Sequence, residues 1–141
     1  MNKNKKLVTH DGTFHSDDLF AAAALLIYLE MNGQTGKIIR TRDTEIINHG
    51  EYVFDVGGIY DEKNNKFDHH QTGGAGEREN SIMYSSFGLV WRKFGIEVAG
   101  SQGVADFVEQ KLVMPVDEND NGIDLYKSNF LDVFAYTVQD V

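Results

Sequence analysis

The sequence predicts an α/β domain, a mostly parallel sheet with helices on both faces. Three observations carry that expectation. Short apolar runs alternate with longer stretches at helical spacing, in the order strand, helix, strand, helix, strand, a pattern that implies right-handed crossovers between parallel strands. The 141 residues suffice for one hydrophobic core but are too few for two, so residues 1–141 read as a single domain. The segments richest in His and Asp fall just after the predicted strands, where ligands bind in sheets of this kind.

Taken in order, residues 5–9 read as the first strand, followed by the polar loop 10–15. Ser16 is the expected N-cap of the first helix, with Asp17 and Asp18 in the first turn, where the helix dipole favours negative charge. That helix runs through Phe20, four consecutive alanines, Leu25, Leu26 and Leu29, and stops at Asn32-Gly33. A second strand covers 37–42 around Ile38-Ile39, a short helical turn 45–48, and a third strand 52–56 that ends at Gly57-Gly58. Residues 59–68 read as a hairpin in which Tyr60 and Phe67 flank a turn rich in Asn, Lys and Asp. Next comes a Gly-rich polar loop, 71–80, then a helix over 81–94 through Met83, Phe87, Val90, Trp91 and Phe94, ending at Gly95. A further helix is expected over about 103–113, an acidic loop over 115–124, and a last helix over 123–141 through Leu125, Phe130, Leu131 and Phe134.

Charge and cysteine usage narrow the function. With 22 acids against 13 bases the formal net charge is −9, which argues against a long, sequence-independent nucleic-acid footprint or extended duplex binding. No cysteine is present, so disulfides, thiol nucleophiles and thiolate metal sites are excluded, in keeping with a reducing compartment. The Lys-rich residues 1–6 are followed only by Leu7-Val8 before polar residues return, so there is no apolar core for a signal peptide. The most apolar run, 19–29, is too short to span a bilayer. The expectation is a soluble cytoplasmic protein without a membrane partner.

Two clusters, His10-x4-His15-x-Asp17 and Asp68-His69-His70, hold four of the five histidines. Asp55 lies near the end of the third strand, and Asp120 in Asp117-Glu118-Asn119-Asp120-Asn121-Gly122, read as a loop between helices. Imidazole and carboxylate donors without thiolates favour Mn²⁺, Mg²⁺, Fe²⁺ or Zn²⁺. Seven or so such groups exceed the needs of one ion and suit a pair about 3.5–4 Å apart. From residues alone, plainer readings stay open. His10 and His15 could belong to a loop that caps the next helix, Asp17 could serve only the helix dipole, and Asp68-His69-His70 could be a solvated turn. The acidic loop is not an EF-hand, because position 12 counted from Asp117 is Ser128 rather than Glu. Gly73-Gly74-Ala75-Gly76 matches no dinucleotide or P-loop fingerprint, although Arg78 beside it could reach an anionic substrate. Ser85 and Ser86 lack the context of a nucleophile elbow.

Asp68-His69-His70, an upstream aspartate on a strand, and a His/Asp loop after the first strand resemble the DHH phosphoesterase superfamily. More narrowly, Thr9-His10-Asp11-Gly12-Thr13-Phe14-His15-Ser16-Asp17, Arg40-Thr41-Arg42-Asp43, Asp55-Val56-Gly57-Gly58-x-Tyr60-Asp61, Phe67-Asp68-His69-His70-Gln71, Ser85-Ser86-x-Gly88-Leu89 and Val116-Asp117-x2-Asp120-Asn121-Gly122-Ile123 resemble the melanocyte-proliferating-gene exonuclease family. The resemblance implies two divalent ions, Mn²⁺ favoured, in a DHH-type domain that hydrolyses phosphodiester bonds of an RNA end or a small nucleotide, as 3′-to-5′ exonucleases do. It implies His10 and His15 on one ion, Asp17, His69 and Asp120 on the other, and Asp55 bridging. Asp68 would orient the neighbouring imidazole, and His70 would face the substrate phosphate. Asp11 departs from the family pattern, which carries Asn there. The family also runs to roughly twice this length, so the chain reads as a short or truncated member whose second half, part of the substrate cleft, is missing. Two rival expectations follow: a metal-binding module that needs a partner chain or a second copy of itself, and a hydrolase of pyrophosphate or an amide.

Overall fold

The computed structural model describes residues 4–137. The strands are β1 (Lys5–Thr9), β2 (Gly36–Arg40), β3 (Tyr52–Phe54), β4 (Tyr60–Asp61) and β5 (Lys66–Phe67); the helices are α1 (Ser16–Met31), α2 (Thr44–Asn48), α3 (Ser86–Ala99), α4 (Gln102–Val108) and α5 (Met114–Asp120). One five-stranded sheet has the order β2-β1-β3-β5-β4. β1 pairs in parallel with β2 and β3, and β3 with β5, while β4 and β5 form the expected antiparallel hairpin with Tyr60 opposite Phe67. The fold is thus α/β and mostly parallel.

Period-two alternation sorts the strand residues between two cores. Leu7, Tyr52, Phe54 and Phe67 face α1 and α3, where Leu25, Leu29, Leu89, Val90 and Phe94 complete the main core. Val8 and Val53 face the other way and pack with Ile47 of α2 and with Val56. Helices therefore cover both faces. Among the described residues no helix is long and apolar enough to cross a membrane.

Several boundaries differ from expectation. His15, in extended conformation, is the N-cap of α1, and Ser16 is its first helical residue. β3 stops at Phe54 because Asp55 turns left-handed, with φ of 55°. α3 starts at Ser86, not 81, because the preceding residues close the polar loop instead: Arg78 N–H donates to the Ile82 carbonyl and Tyr84 N–H to that of Gly76. It runs through Gly95 to a cap at Gly100, since the absent Cβ of Gly95 leaves room for Trp91. The acidic stretch is helical as far as Asp120, with Pro115 in the first turn, where a missing N–H is harmless. It follows directly from a π-helical turn, Glu109–Val113. The last predicted helix is absent over residues 123–137: Leu131 is 95% exposed and Phe134 76%, so its apolar spacing finds no core face to pack on. Residues 138–141 of that prediction lie outside the described residues.

Candidate metal centre

The strand order creates the site. The chain leaves β1 for β2 through α1 on one face and returns to β3 through α2 on the other, so the loops after β1 and β3 diverge and open a crevice at the carboxyl ends. His10 directly follows β1, Asp55 directly follows β3, and Asp68-His69-His70 directly follows β5. The amino end of α1 supplies His15, Asp17 and Asp18, and the last residue of α5 supplies Asp120. Every residue expected in the site converges there. Asp120 arrives on a helix end rather than on a loop.

Asp55 is the centre of the arrangement. Its Oδ2 lies 3.1 Å from His10 Nε2, and its Oδ1 lies 3.4 Å from His69 Nε2. On the far side, His69 Nε2 is 3.1 Å from Asp120 Oδ2 and 3.7 Å from Asp17 Oδ2. Three sets of donor atoms lie close enough to share an ion: His10, His15 and Asp55; Asp55, His69 and His70; and His15, Asp17 and Asp120. The left-handed backbone at Asp55, tolerated better by Asp or Asn than by most residues, turns its carboxylate out of the strand and into the crevice.

The polar atoms of the site fit cations. Both carboxylate oxygens of Asp17, Oδ2 of Asp18 and of Asp55, and Nε2 of His10 and of His69 are buried and face one another and Asp120 rather than hydrogen-bond donors of the surrounding fold. Buried carboxylates without donors are expensive, and divalent cations would satisfy all of these atoms together. Burial, reinforced by the charges of Asp55 and Asp120, pushes the Asp17 carboxyl up to about 10. Burial alone would lower His69, but the carboxylates of Asp120 and Asp55 beside it push it up to about 10. Both shifts mark negative charge in want of positive charge. Adding Mn²⁺ to chelator-stripped protein should therefore raise the melting temperature and release protons. Each site saturated at a hundred times its Kd adds about 2.7 kcal/mol. A differential scanning fluorimetry titration in weakly buffered dye checks both effects.

Asp68 is buried but not part of that set. Burial would raise its carboxyl, yet the hydrogen bond with His70 and that from Gly58 hold it below the ordinary carboxylate range. Gly58 N–H donates to Oδ2 at 2.6 Å, and Oδ1 accepts from the backbone of His69 at 2.8 Å and from His70 Nδ1 at 2.6 Å. The imidazole that Asp68 orients is therefore that of His70, which stands 59% exposed in a cleft of about 220 Å³ lined also by His10, His15, Arg42, Asp55, Gly57 and Gly58.

Some features lay beyond the sequence reading. Asp18, for which helix-dipole stabilisation is a sufficient reading of the sequence, is 1% exposed and points at His10. Arg42 reaches the cleft rim, tethered to Asp11 at 3.0 Å; its position after β2 was the available signal. Arg78 does not reach toward substrate. It is buried and paired with Glu109 at 2.5 Å and Asp117 at 2.7 Å. Asp117 also accepts from Ser85 Oγ at 2.5 Å and from Gly88 N–H at 3.0 Å, and burial pushes its carboxyl up to about 6.

Comparison with known proteins finds a family model, MYG1_exonuc, described as an uncharacterised protein family (UPF0160), that matches residues 6–139. The chain is 37% identical over 129 residues to a MYG1 protein of Chlamydia pneumoniae, covering 89% of this chain and 41% of that protein. It is 39% identical over 122 residues to a MYG1 protein of Chlamydia muridarum, covering 86% and 39%. It is 33% identical over 137 residues to the human protein named MYG1 exonuclease, covering 84% and 36%. The chain thus spans about two-fifths of the length of the curated relatives it matches. No solved structure gives a significant match.

Proposed function

The chain belongs to the MYG1 exonuclease family, UPF0160, and from that premise we propose that residues 1–141 form a DHH-type domain whose crevice is a two-cation centre for phosphodiester hydrolysis. The observation that carries the reading is the division of Asp55, one oxygen toward His10 and the other toward His69, as a bridging carboxylate requires. His10 and His15 would hold one ion, and Asp17, His69 and Asp120 the other. A donor set of imidazoles and carboxylates without thiolate favours Mn²⁺, with Mg²⁺, Fe²⁺ or Zn²⁺ also served. When bound, two such ions supply Lewis acidity toward the phosphoryl oxygens and acidify the attacking water.

The chain's own residues do the rest. Asp68, a pure acceptor, fixes the proton of His70 on Nδ1 and leaves Nε2 for the cleft. The hydrogen bond with Asp68 raises His70 above the ordinary imidazole range, which suits it to donate a proton to the departing oxygen. Arg42 at the rim and the protein's acidic balance suit a short anionic substrate, the end of an RNA strand or a small nucleotide, rather than a long duplex. The relatives named exonuclease support that substrate class. The absence of cysteine supports a cytoplasmic setting.

One observation favours a second reading, in which the same centre binds cations but needs a further polypeptide, or a second copy of this chain, for turnover. Of the apolar side chains of residues 123–137, Phe130, Leu131, Phe134 and Tyr136 lie 72–95% exposed. The deciding experiment restores Mn²⁺ to stripped protein and follows cleavage of a short single-stranded RNA and of a chromogenic phosphodiester. Two ions bound with Mn²⁺-dependent turnover is the expected result. Two ions with no turnover supports the second reading, and fewer than one ion overturns both. His70→Gln should lower kcat about a hundredfold or more, in the range of lost general acid catalysis, while bound Mn²⁺ is unchanged by elemental analysis.

A further inference from the structure

We infer that Asp18 is a direct ligand of the first cation, joining His10, His15 and Asp55 there. The inference rests on the two-cation reading above and adds to it a carboxylate that neither the motif resemblance nor the loop pattern assigns.

A carboxylate that merely stabilises a helix terminus does so in solvent, at little cost. Asp18 is 1% exposed. One of its oxygens, Oδ1, accepts the His15 backbone N–H at 3.0 Å and so closes the first turn of α1. The other, Oδ2, is buried. Capping explains the first oxygen, whereas the second points away from the helix end toward His10.

His10 supplies the explanation. Its Nδ1 lies 2.7 Å from the Asp11 carbonyl. A carbonyl only accepts, so Nδ1 donates to it, which is how metal-binding imidazoles are held by their other nitrogen, and Nε2 is left to face the crevice. Nε2 is buried and lies 3.1 Å from both Asp18 Oδ2 and Asp55 Oδ2. Two buried carboxylate oxygens from different elements thus flank the same imidazole nitrogen. Donors at right angles around an ion, each about 2.1 Å from it, stand about 3 Å apart. Each carboxylate's 3.1 Å spacing from Nε2 is that of neighbouring corners of one coordination sphere. With Asp18 included, the first ion gains a carboxylate of its own besides the shared Asp55, as the second has Asp17 and Asp120.

Asp18→Asn keeps the oxygen that accepts from His15 and removes the charge. The test measures Mn²⁺ binding by equilibrium dialysis, with the fold of the ion-free variant checked by circular dichroism. Two ions in the wild type and one in Asp18→Asn, the other weakened more than about a hundredfold, is the expected outcome. That loss exceeds the 10–100-fold typical of a residue acting through a ligand. Electron paramagnetic resonance should change in step, from the broadened spectrum of a coupled pair to the hyperfine-resolved spectrum of an isolated ion. Two ions in the variant, with the weaker site within a hundredfold of wild type, overturns the assignment of Asp18 and leaves the two-cation reading standing. Fewer than two ions in the wild type overturns both. Should the variant fail to fold, an anomalous-scattering map from Mn²⁺-soaked wild-type crystals decides: a peak in bonding contact with Asp18 Oδ2 supports the assignment, and a first-site peak out of its reach overturns it.

Discussion

Asp55→Asn is expected to strip both cations from the centre and to lower phosphodiester turnover by about a thousandfold, some 4 kcal/mol of lost charge stabilisation. The oxygens of Asp55 face His10 at 3.1 Å and His69 at 3.4 Å, so one substitution weakens two sites. Asparagine matches aspartate in size but offers one oxygen, and its amide hydrogens would point at an imidazole lone pair. The backbone at this position has φ of 55°, a left-handed conformation that Asn accepts readily, so the local fold has no reason to change. Without cations, the variant should be at least as stable as the wild type. Removing one charge relieves Asp17 and Asp18, both of which are raised by burial and, further, by the charge of Asp55. Elemental analysis after Mn²⁺ reconstitution, with melting curves in chelator, separates the two roles. Unchanged metal content would mean that Asp55 is only a structural carboxylate.

Legibility in the sequence followed burial. Where an element alternates apolar and polar residues against a core, its spacing was enough: β1, the start of β3 and the Tyr60–Phe67 register of the hairpin all stand where the pattern set them. Where long-range polar contacts decide, spacing misled. Asp117 to Asp120 has the composition of a solvated loop, yet Asp117 is fully buried by contacts from Arg78, Ser85 and Gly88, and α5 forms around that anchor. Residues 123–137 carry helical apolar spacing, but nothing among the described residues covers Leu131 or Phe134, and spacing without a partner surface does not make a helix. In the site, the histidine clusters and Asp55 stood out because charge beside a strand end demands a partner. Asp18 did not, because a first-turn acid already has a sufficient local explanation, and only its burial and its 3.1 Å approach to His10 show otherwise.

Gly88→Ala should lower stability by about 3 kcal/mol, roughly 10 °C in melting temperature for a chain of this size. Helix propensity alone predicts the opposite sign, because Ala exceeds Gly by about 1 kcal/mol in a helix interior. The difference lies in what Gly88 touches. A Cβ there would stand 1.9 Å from Asp117 Oδ2, 2.7 Å from its Cγ and 2.9 Å from an Arg78 guanidinium nitrogen. α3 and α5 approach through that missing methyl, and Asp117 cannot retreat without releasing Gly88 N–H, Ser85 and Arg78 together. Separating a buried ion pair costs about 3–5 kcal/mol, which outweighs the propensity gain. Asp120 sits three residues on, at the end of the same helix, with its carboxylate 3.1 Å from His69, so the strain should also weaken Mn²⁺ binding at the second site. Gly103→Ala is the control: Gly103 lies in α4 with nothing within 4 Å of its missing Cβ, and there the propensity term should act alone and stabilise. Chemical denaturation of both variants, with Mn²⁺ titration of the folded proteins, measures the contrast. A Gly88→Ala protein as stable as Gly103→Ala would show that α5 is not held through Asp117.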